Sequence, residues 1–438
     1  MSNNSMLLGI AEDDLLNCIQ CGYCLPACPT YQIEQKETAT PRGRLALMKG
    51  VQDGKLEIKN LTPSIEVCLG CRACEAACPS GVNYGHILEQ AKDVIASQTK
   101  YSLPVRMIRN LMLRKLLPFP QRMRFIRGGI HLYQKLGLQK IVRKTGILKI
   151  MPWQMATFES VLPEVAPMSA KLPTKVVGST NQNKISGKKL PTIGLFTGCI
   201  QETIYHETNK NTLKLLKAAG FTVVVPDEQT CCGAIHAHAG EKEQAKELAR
   251  KNIAMAERIK VDYLVNNQGG CGAMLKEYDH LLANDPDWSD RAKEFVKKVK
   301  DINEILVMLE ELPRLKEIKE TVTYQDSCHL LNVQGVKFQP RQMIQAIPGI
   351  VYRELEGAGS CCGSAGTYNI TQYNSSMQIL DEKMQKVQDT NATIIVTANP
   401  GCLLQMQIGI KRAGLTGKVR AIHIVDLLAE ALADSLEL

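Results

Sequence analysis

The chain has 438 residues, of which 45% are hydrophobic and 22% are charged, as in folded globular proteins with room for two or three domains. No run of about 18 apolar residues is present and the N-terminus lacks secretory-signal features, so we expect neither a transmembrane helix nor secretion. The net charge is +9, but thirteen Lys or Arg and no Asp or Glu lie within residues 100–150. Because the excess is local, it does not indicate a general nucleic-acid-binding protein.

The sixteen cysteines dominate the composition. In the cytoplasm, where we expect this chain, patterned cysteines are more often metal ligands or redox groups than disulfides. They form four groups of four with none left over: Cys18, Cys21, Cys24 and Cys28; Cys68, Cys71, Cys74 and Cys78; Cys199, Cys231, Cys232 and Cys271; Cys328, Cys361, Cys362 and Cys402. Cysteines that merely fill a core would be more scattered.

Residues 1–99 carry the first two groups, each with the spacing C-x2-C-x2-C-x3-C-P. This is the spacing of bacterial two-cluster ferredoxins, in which the fourth cysteine ligates the other cluster. We therefore expect two [4Fe–4S] clusters in a ferredoxin-type domain. The predicted ligands are Cys18, Cys21, Cys24 and Cys78 for the first cluster, and Cys68, Cys71, Cys74 and Cys28 for the second. A pair of zinc sites is the main alternative and disulfides are a weaker one.

Two arginines, Arg42 and Arg44, follow Pro41 at the start of a predicted helix between the motifs. They either pair with an anionic cluster or a partner, or they form a solvated helix start of little energetic consequence.

Residues 100–160 alternate basic and apolar residues, a pattern that predicts a basic amphipathic helical segment. Such a segment is suited to docking on an anionic membrane surface or an acidic partner, whereas the alternative is a solvated helix pair packed on the ferredoxin-type domain. Residues 161–190 are rich in Pro, Ser, Asn and Lys and are predicted to be a linker.

Residues 191–312 and 313–438 are two copies of one α/β unit, each with a CCG triplet. Corresponding cysteines are displaced by 129, 130 and 131 residues, as expected for a duplication. Since the cysteines follow apolar, β-branched runs, we expect them at the carboxyl ends of strands, where open α/β sheets bind ligands. The predicted fold is thus a multidomain α+β and α/β protein, with a helical ferredoxin domain before a duplicated CCG domain.

The CCG cysteines are candidate ligands of a further metal or redox centre in each copy, or of one shared redox cavity. Gly233 and Gly363 would allow close backbone approach. The alternative is that these cysteines are buried and structural. Four nearby histidines are weaker candidates for ligands or proton carriers: His206, His236, His238 and His329. No dinucleotide fingerprint or P-loop is present, so we expect no flavin, nicotinamide or nucleotide in this chain.

The chain resembles the iron–sulfur subunit of bacterial glycolate oxidase over nearly its whole length. The strings that carry the resemblance are CGYCLPACPTY, PRGR, CRACEAACPSGV, CCGAIHAHAGE, GCGAMLKEY, CCGSAGTY and VTANPGC. CCG repeats alone also resemble those of heterodisulfide reductase, of anaerobic glycerol-3-phosphate dehydrogenase and of lactate-utilisation proteins. The C-x-x-C that closes heterodisulfide reductase modules is absent after Cys271 and Cys402, which argues against a noncubane cluster of that type.

The resemblance implies that FAD-binding partner subunits oxidise glycolate to glyoxylate, so no catalytic residue is expected here. Electrons would pass through this chain to a membrane acceptor, for which quinone is the expectation, with peripheral contact at the cytoplasmic face of the membrane. Equivalent subunits of glycerol-3-phosphate or lactate dehydrogenase complexes are the related alternatives. A zinc-dependent structural or nucleic-acid-binding protein is the alternative of a different class, although few aromatic residues accompany the basic ones.

Overall fold

The computed structural model describes residues 8–150, 154–178 and 183–433 of the chain. Its N-terminal part is helical and has a core of its own, in which Met48, Val51 and Leu61 are fully buried. The helix Pro41–Gln52 begins at its N-cap Thr40, whose side chain accepts a hydrogen bond from the Gly43 N–H. Helices α1 to α6 span Glu12–Leu16, Pro29–Glu34, Pro41–Gln52, Ile58–Glu66, Ala73–Ala76 and Tyr84–Gln98.

The basic segment is helical, as its pattern predicts. It consists of α7 (Leu103–Arg109), a π-helical turn (Asn110–Leu116), α8 (Pro120–Lys135), α9 (Leu138–Thr145), a 3-10 turn (Ile147–Ile150) and α10 (Met155–Glu159). Residues 161–190 contribute an edge strand, β1 (Lys175–Val176), and a short hairpin of β2 (Lys184–Ile185) and β3 (Lys188–Lys189).

Two sheets with the same strand order follow. In the first repeat, β4 (Ile193–Phe196), β5 (Val223–Val224), β6 (Tyr263–Asn266) and β7 (Val299–Asp301) are parallel in the order β5-β4-β6-β7, and β1 adds antiparallel to β5. The second repeat has the parallel order β9-β8-β10-β11, formed by β8 (Thr321–Tyr324), β9 (Val351–Tyr352), β10 (Ile394–Thr397) and β11 (Arg420–His423). The shared order supports the duplication.

Helices cover these sheets. The first repeat contains α11 (Cys199–Ile204), α12 (His206–Ala218), α13 (Ala234–His238), α14 (Lys242–Ile259), α15 (Gly269–Lys276), α16 (Tyr278–Leu281), α17 (Ser289–Lys298) and α18 (Ile302–Val307). The second contains α19 (Cys328–Asn332), α20 (Gln339–Gln345), α21 (Tyr368–Thr371), α22 (Tyr373–Asp389), α23 (Pro400–Arg412) and α24 (Ile424–Ala431).

Four cysteines lie in the first turn of a helix that directly follows a strand. Cys199 begins α11 after β4, and Cys328 begins α19 after β8. Cys271 and Cys402 occupy the same place in α15 and α23, after β6 and β10. The structure thus places these cysteines at the carboxyl ends of parallel strands, as the sequence predicts.

The two repeats share one hydrophobic core, which includes Leu195 and Val265 of the first sheet and Tyr324 and Val396 of the second. The cysteine-bearing ends of the sheets also meet across this contact. The Gly269 N–H donates to the Ala398 carbonyl at 3.0 Å, and the Gly270 N–H donates to Asn399 Oδ1 at 3.1 Å. The duplication therefore forms one body rather than two separate domains.

The ferredoxin-type domain is fastened to the first repeat by a charged contact. Glu277, just before α16, pairs with Arg72 and accepts from His86 Nε2 at 3.1 Å, and the ring of His86 stacks on His280 at 3.4 Å. Although burial opposes ionisation, His86 and Arg72 outweigh it and lower the pKa of Glu277 to about 2. We call this contact the Glu277 latch.

Replacing Glu277 by Gln should lower the free energy of unfolding by about 2 to 3 kcal/mol, because Arg72 loses one of its two carboxylate partners and keeps only Glu75. The pKa is depressed, so the stabilisation is complete above the unfolded value of about 4.3 and is lost only as pH falls toward 2. Anaerobic scanning calorimetry should therefore show the same loss at pH 6 and pH 8. Glu294→Gln, at an exposed pair with Lys297, is the control and should change little.

Candidate redox centres

Cysteines from both ferredoxin-type motifs line one cavity. Cys28 of the first motif lies at the N-cap of α2 and faces the same space as Cys68, Cys71 and Cys74 of the second motif. Among the other lining side chains are Pro29, Pro41, Leu69 and Tyr84. The structure thus brings together the four thiols that the crossed assignment gives to one cluster.

Arg44 is the buried cation of this cavity. It is 1% exposed, and its guanidinium donates to the Ser64 carbonyl at 2.7 Å and to the Thr30 hydroxyl at 3.0 Å. Burial disfavours its charge, but Cys68, Tyr84 and Cys28 together outweigh burial and raise the pKa of Arg44 above its usual range. Of the two interpretations that the sequence left open, the structure favours the one in which Arg44 faces the thiols.

The thiols of this cavity differ in their electrostatics. Burial raises the pKa of Cys71 and of Cys74. Burial acts the same way on Cys68, but Arg44 and a hydrogen bond from the Gly70 N–H at 3.4 Å help to outweigh it, so the pKa of Cys68 is lowered. Four sulfurs with a cation and apolar walls fit an anionic, thiolate-ligated iron–sulfur cluster, because Arg44 offsets part of the ligand charge.

The rest of the first motif lies nearer the surface. Cys21 is exposed, whereas Cys18, Cys24 and Cys78 are half-buried. Arg42 pairs with Glu37 at 2.7 Å and donates to the Gln20 carbonyl at 3.0 Å, which ties this loop to α3. The Val82 N–H lies 3.5 Å from the sulfur of Cys78. The assignment of Cys78 to the first cluster stays a prediction.

The four thiols of the first CCG repeat form a row. Cys199 Sγ lies 3.6 Å from Cys231 Sγ, and hydrogen-bonding contacts continue from Cys231 to Cys232 and from Cys232 to Cys271. Gly233 follows with φ of +91°, in the left-handed region that favours glycine, and its N–H lies 3.5 Å from Cys231 Sγ. The four cysteines grouped by sequence are therefore together in space.

The second repeat has the same row, from Cys328 through Cys361 and Cys362 to Cys402. Gly363 has φ of +89°, matching its counterpart. Within residues 8–150, 154–178 and 183–433, no three His, Cys, Asp or Glu side chains converge as a single metal ion requires. Each row offers four thiols as ligands, and thiolates favour zinc, copper(I) or iron–sulfur centres.

The ferredoxin-type cavity adjoins the second repeat. Cys71 packs with Cys361 and Tyr368 in one apolar cluster, with Cys328 at its edge. The Asn332 side-chain amide donates to the Cys71 carbonyl at 2.9 Å. No local sequence signal could have predicted this contact, since its partners are 261 residues apart.

The four candidate histidines have separate partners. His206 Nδ1 lies 2.7 Å from Glu202 Oε1, and His236 Nε2 lies 2.6 Å from the Leu113 carbonyl oxygen. His238 pairs with Glu89 at 3.4 Å, and its ring lies 5.4 Å from that of His329. His329 is the histidine that lies beside a CCG thiol, with its Nδ1 3.4 Å from Cys328 Sγ.

Sequence reasoning missed a second cavity, which lies beside the Glu277 latch between α6 and the first repeat. His86, Glu89, Lys242, Glu277 and His280 are among its lining side chains. Only the fold brings these residues together, because they come from separate parts of the chain. In the part of the chain that the structure describes, no helix is long and apolar enough to span a bilayer.

Comparison with known proteins decides the family. Family models match at residues 14–82 (4Fe-4S dicluster domain), 104–162 (glycolate oxidase iron-sulfur subunit, linker region), and 193–276 and 322–407 (cysteine-rich domain). The chain is 50% identical over 432 residues to the probable glycolate oxidase iron-sulfur subunit of Bacillus subtilis, covering 96% of this chain and 94% of that protein. The chain belongs to the glycolate oxidase iron–sulfur subunit family.

Other similar proteins differ in their names and in how much of the chain they match. The glycolate oxidase iron-sulfur subunit of Escherichia coli is 29% identical, with 96% of this chain and 95% of that protein covered. Lactate utilization protein A of Oceanobacillus iheyensis is 33% identical but matches only 54% of this chain and 96% of its own length. A hypothetical protein from Helicobacter pylori shares the fold, with a TM-score of 0.53, 11% identity and coverage of 100% of this chain and 78% of its own.

As a member of the glycolate oxidase iron–sulfur subunit family, the chain is the electron-transfer part of an oxidoreductase complex with other subunits. Its cofactors are iron–sulfur clusters. The observed order, a ferredoxin-like 4Fe–4S domain followed by CCG repeats, agrees with the expected fold.

Replacing Arg44 by Gln should make the midpoint potential of the adjacent cluster more negative, because a buried cation favours the reduced, more negative state. EPR-monitored redox titration of the anaerobically purified protein measures this. Arg44→Lys keeps the charge and should retain most of the wild-type potential. Equal shifts in both variants would mean that Arg44 acts through packing alone.

Proposed function

We propose that this chain takes electrons from FAD-binding subunits that oxidise glycolate to glyoxylate and delivers them to a membrane quinone. Iron–sulfur clusters, when bound, accept and release single electrons, which divides a two-electron oxidation into two steps. The chain's own residues hold the clusters, exclude water and fix the distance between centres. The names of the relatives with near-complete coverage support glycolate as the substrate of the complex.

The contact between Cys71 and the thiols of the second repeat carries this proposal. It joins the ferredoxin-type domain to a CCG row, since Cys71 and Cys361 are both buried in one hydrophobic cluster. Electrons therefore enter at the ferredoxin-type motifs and continue into the CCG repeats. We propose two [4Fe–4S] clusters with crossed ligands for the first region and a further centre on the CCG cysteines for the second.

The crossed assignment predicts that Cys28→Ser damages the cluster held by Cys68, Cys71 and Cys74. The reason is that Cys28 lines the same cavity as Cys68, Cys71 and Cys74. EPR and iron analysis of the anaerobic protein measure the outcome, with Cys21→Ser as the control that should damage the other cluster. If Cys28→Ser and Cys21→Ser removed the same signal, the crossed assignment would be wrong.

Transfer to the acceptor can be measured separately from cluster assembly. In the purified complex, glycolate should reduce both a water-soluble dye and a short-chain quinone. Cys362→Ser and Cys232→Ser test the role of the CCG rows, and both should retain the ferredoxin-type EPR signals while slowing quinone reduction. Unchanged quinone reduction in both variants would show that the CCG rows are structural.

We further propose that the basic segment binds an anionic membrane surface. Leu103, Met107 and Leu111 recur every fourth residue and are 65%, 70% and 51% exposed, so they share one unpartnered helical face. Phe125 and Ile150 are 64% and 84% exposed farther along. Residues 100–150 carry thirteen Lys or Arg and no acid, although Arg127 is buried and pairs with Glu202. Exposed apolar side chains on a segment of this charge fit lipid headgroups and the acyl boundary beneath them.

Vesicle flotation should show binding to vesicles with phosphatidylserine and much weaker binding to neutral ones. Met107→Glu together with Phe125→Glu should reduce binding at least several-fold, because each places a charge where an apolar side chain enters the lipid. Phe338→Glu is the matched control, since Phe338 is 66% exposed but lies in the second repeat. Unchanged flotation of the double variant would contradict membrane binding and favour an acidic protein partner.

A further inference from the structure

Corresponding helices of the two CCG repeats differ in charge at one buried position. Helices α14 and α22 bury corresponding residues, each pair 131 positions apart: Ala245 and Ser376, Leu248 and Ile379, Ala249 and Leu380, Asn252 and Lys383. Three of these pairs are small or apolar. The fourth places a neutral amide in the first repeat and an ammonium in the second.

The first repeat uses Asn252 to brace its CCG loop. The Asn252 amide donates to the Cys231 carbonyl at 3.0 Å, and its oxygen accepts from the Thr230 backbone N–H at 3.0 Å. Every partner in these contacts is neutral. This side chain therefore holds the loop without adding a charge near the thiols.

The second repeat uses Lys383 for the same task but adds a charge. Lys383 is 3% exposed, and its Nζ donates to the Gly357 carbonyl at 2.6 Å and to the Ser360 hydroxyl at 2.7 Å and carbonyl at 3.2 Å. Ser360 directly precedes Cys361, as Thr230 directly precedes Cys231. Lys383 thus supports its CCG loop from the position equivalent to that of Asn252, but it carries a positive charge.

Lys383 has no carboxylate partner. Among the described residues, no Asp or Glu oxygen lies within 4 Å of its Nζ. The acid that acts on it from farther away, Asp326, is already paired through both oxygens with Arg341. An unpaired buried ammonium costs several kcal/mol, so a compensating negative charge is expected nearby.

The thiols of Cys362 and Cys361 are the groups positioned to supply that charge. Burial lowers the pKa of Lys383 to about 8, and these two thiols act in the opposite direction. At neutral pH the ammonium is therefore still mostly protonated.

We propose that Lys383 is the counter-charge of an anionic, thiolate-ligated redox centre in the second repeat, and that it gives this centre a more positive reduction potential than its counterpart in the first. The inference rests on the proposed function, which supplies the electrons from glycolate oxidation. An electron that enters the second repeat adds one negative charge, and the ammonium stabilises that charge without transferring a proton. Because Cys71 contacts this repeat, the more oxidising centre is also the one that receives electrons first.

The test uses the anaerobically purified complex and EPR-monitored redox titration. The signal lost in Cys362→Ser identifies the second-repeat centre, and the signal lost in Cys232→Ser identifies the first. Lys383→Gln keeps a donor for Gly357 and Ser360 while removing the charge, so the second-repeat signal should shift to more negative potential. Lys383→Arg should restore the potential toward wild type.

Lys386→Met is the matched control, because Lys386 lies on the same helix but is half-exposed and pairs with Glu356. It should leave both potentials unchanged. If Lys383→Gln instead releases iron while Lys383→Arg retains it, the counter-charge role is supported by iron content. Unchanged potential and iron in Lys383→Gln, or equal changes in the Gln and Arg variants, would overturn the proposal.

Two further outcomes separate this inference from the proposed function. If Cys362→Ser removes no signal while glycolate still reduces quinone, the second repeat holds no redox centre, so the Lys383 proposal is wrong and the electron-transfer function stands. If glycolate reduces neither the dye nor the quinone in the wild-type complex, the proposed function fails, and the inference that depends on it is overturned too.

Discussion

The rest of this structure depends on one constraint, which is that buried cysteine sulfurs have to carry negative charge. Burial raises the pKa of thiols such as Cys71 and Cys74, so their thiolate forms need metal or nearby cations. Arg44 supplies one such cation in the ferredoxin-type domain. Lys383 is placed to do the same in the second repeat. Both are among the few buried cations of the described chain, and both face cysteines rather than carboxylates.

The fold meets this constraint by repeated use of one local design. A parallel strand ends, and a helix begins with a cysteine in its first turn, as at Cys199 and Cys328. The shared strand order places four such sites at the carboxyl ends of two sheets, and the common core joins these ends. The Glu277 latch and the hydrogen bond from Asn332 then hold the ferredoxin-type domain against the two repeats. The proximity of Cys71 to the second-repeat thiols therefore follows from packing between domains and not from any one motif.

The difference between local motifs and packing between domains explains what the sequence could predict. Cysteine spacing predicted the grouping of thiols because ligands within one loop or one repeat recur at fixed intervals, and the apolar runs before Cys271 and Cys402 predicted their position at strand ends. It could not predict that Cys71 faces Cys361, because that contact joins residues 290 positions apart through tertiary packing. Lys383 gave no signal either, since its helix reads as an ordinary amphipathic one until burial shows which face is covered.

The duplication also bears on the direction of electron flow. Two identical copies would bind electrons equally, so a relay built from them would gain no direction from the repeats themselves. Here Cys71 packs on the second repeat, and of the two repeats as described, the second alone carries a fully buried ammonium. Under the proposal for Lys383, the ammonium stabilises an electron on the second repeat. Onward transfer to the first repeat then depends on the acceptor removing electrons. The exposed apolar face of α7, which we propose as the membrane-binding surface, adjoins the first repeat because Arg109 of α7 pairs with Glu241. Under the two proposals, electrons enter beside the second repeat and their passage toward the first is uphill in potential, so that passage depends on removal of electrons by the acceptor.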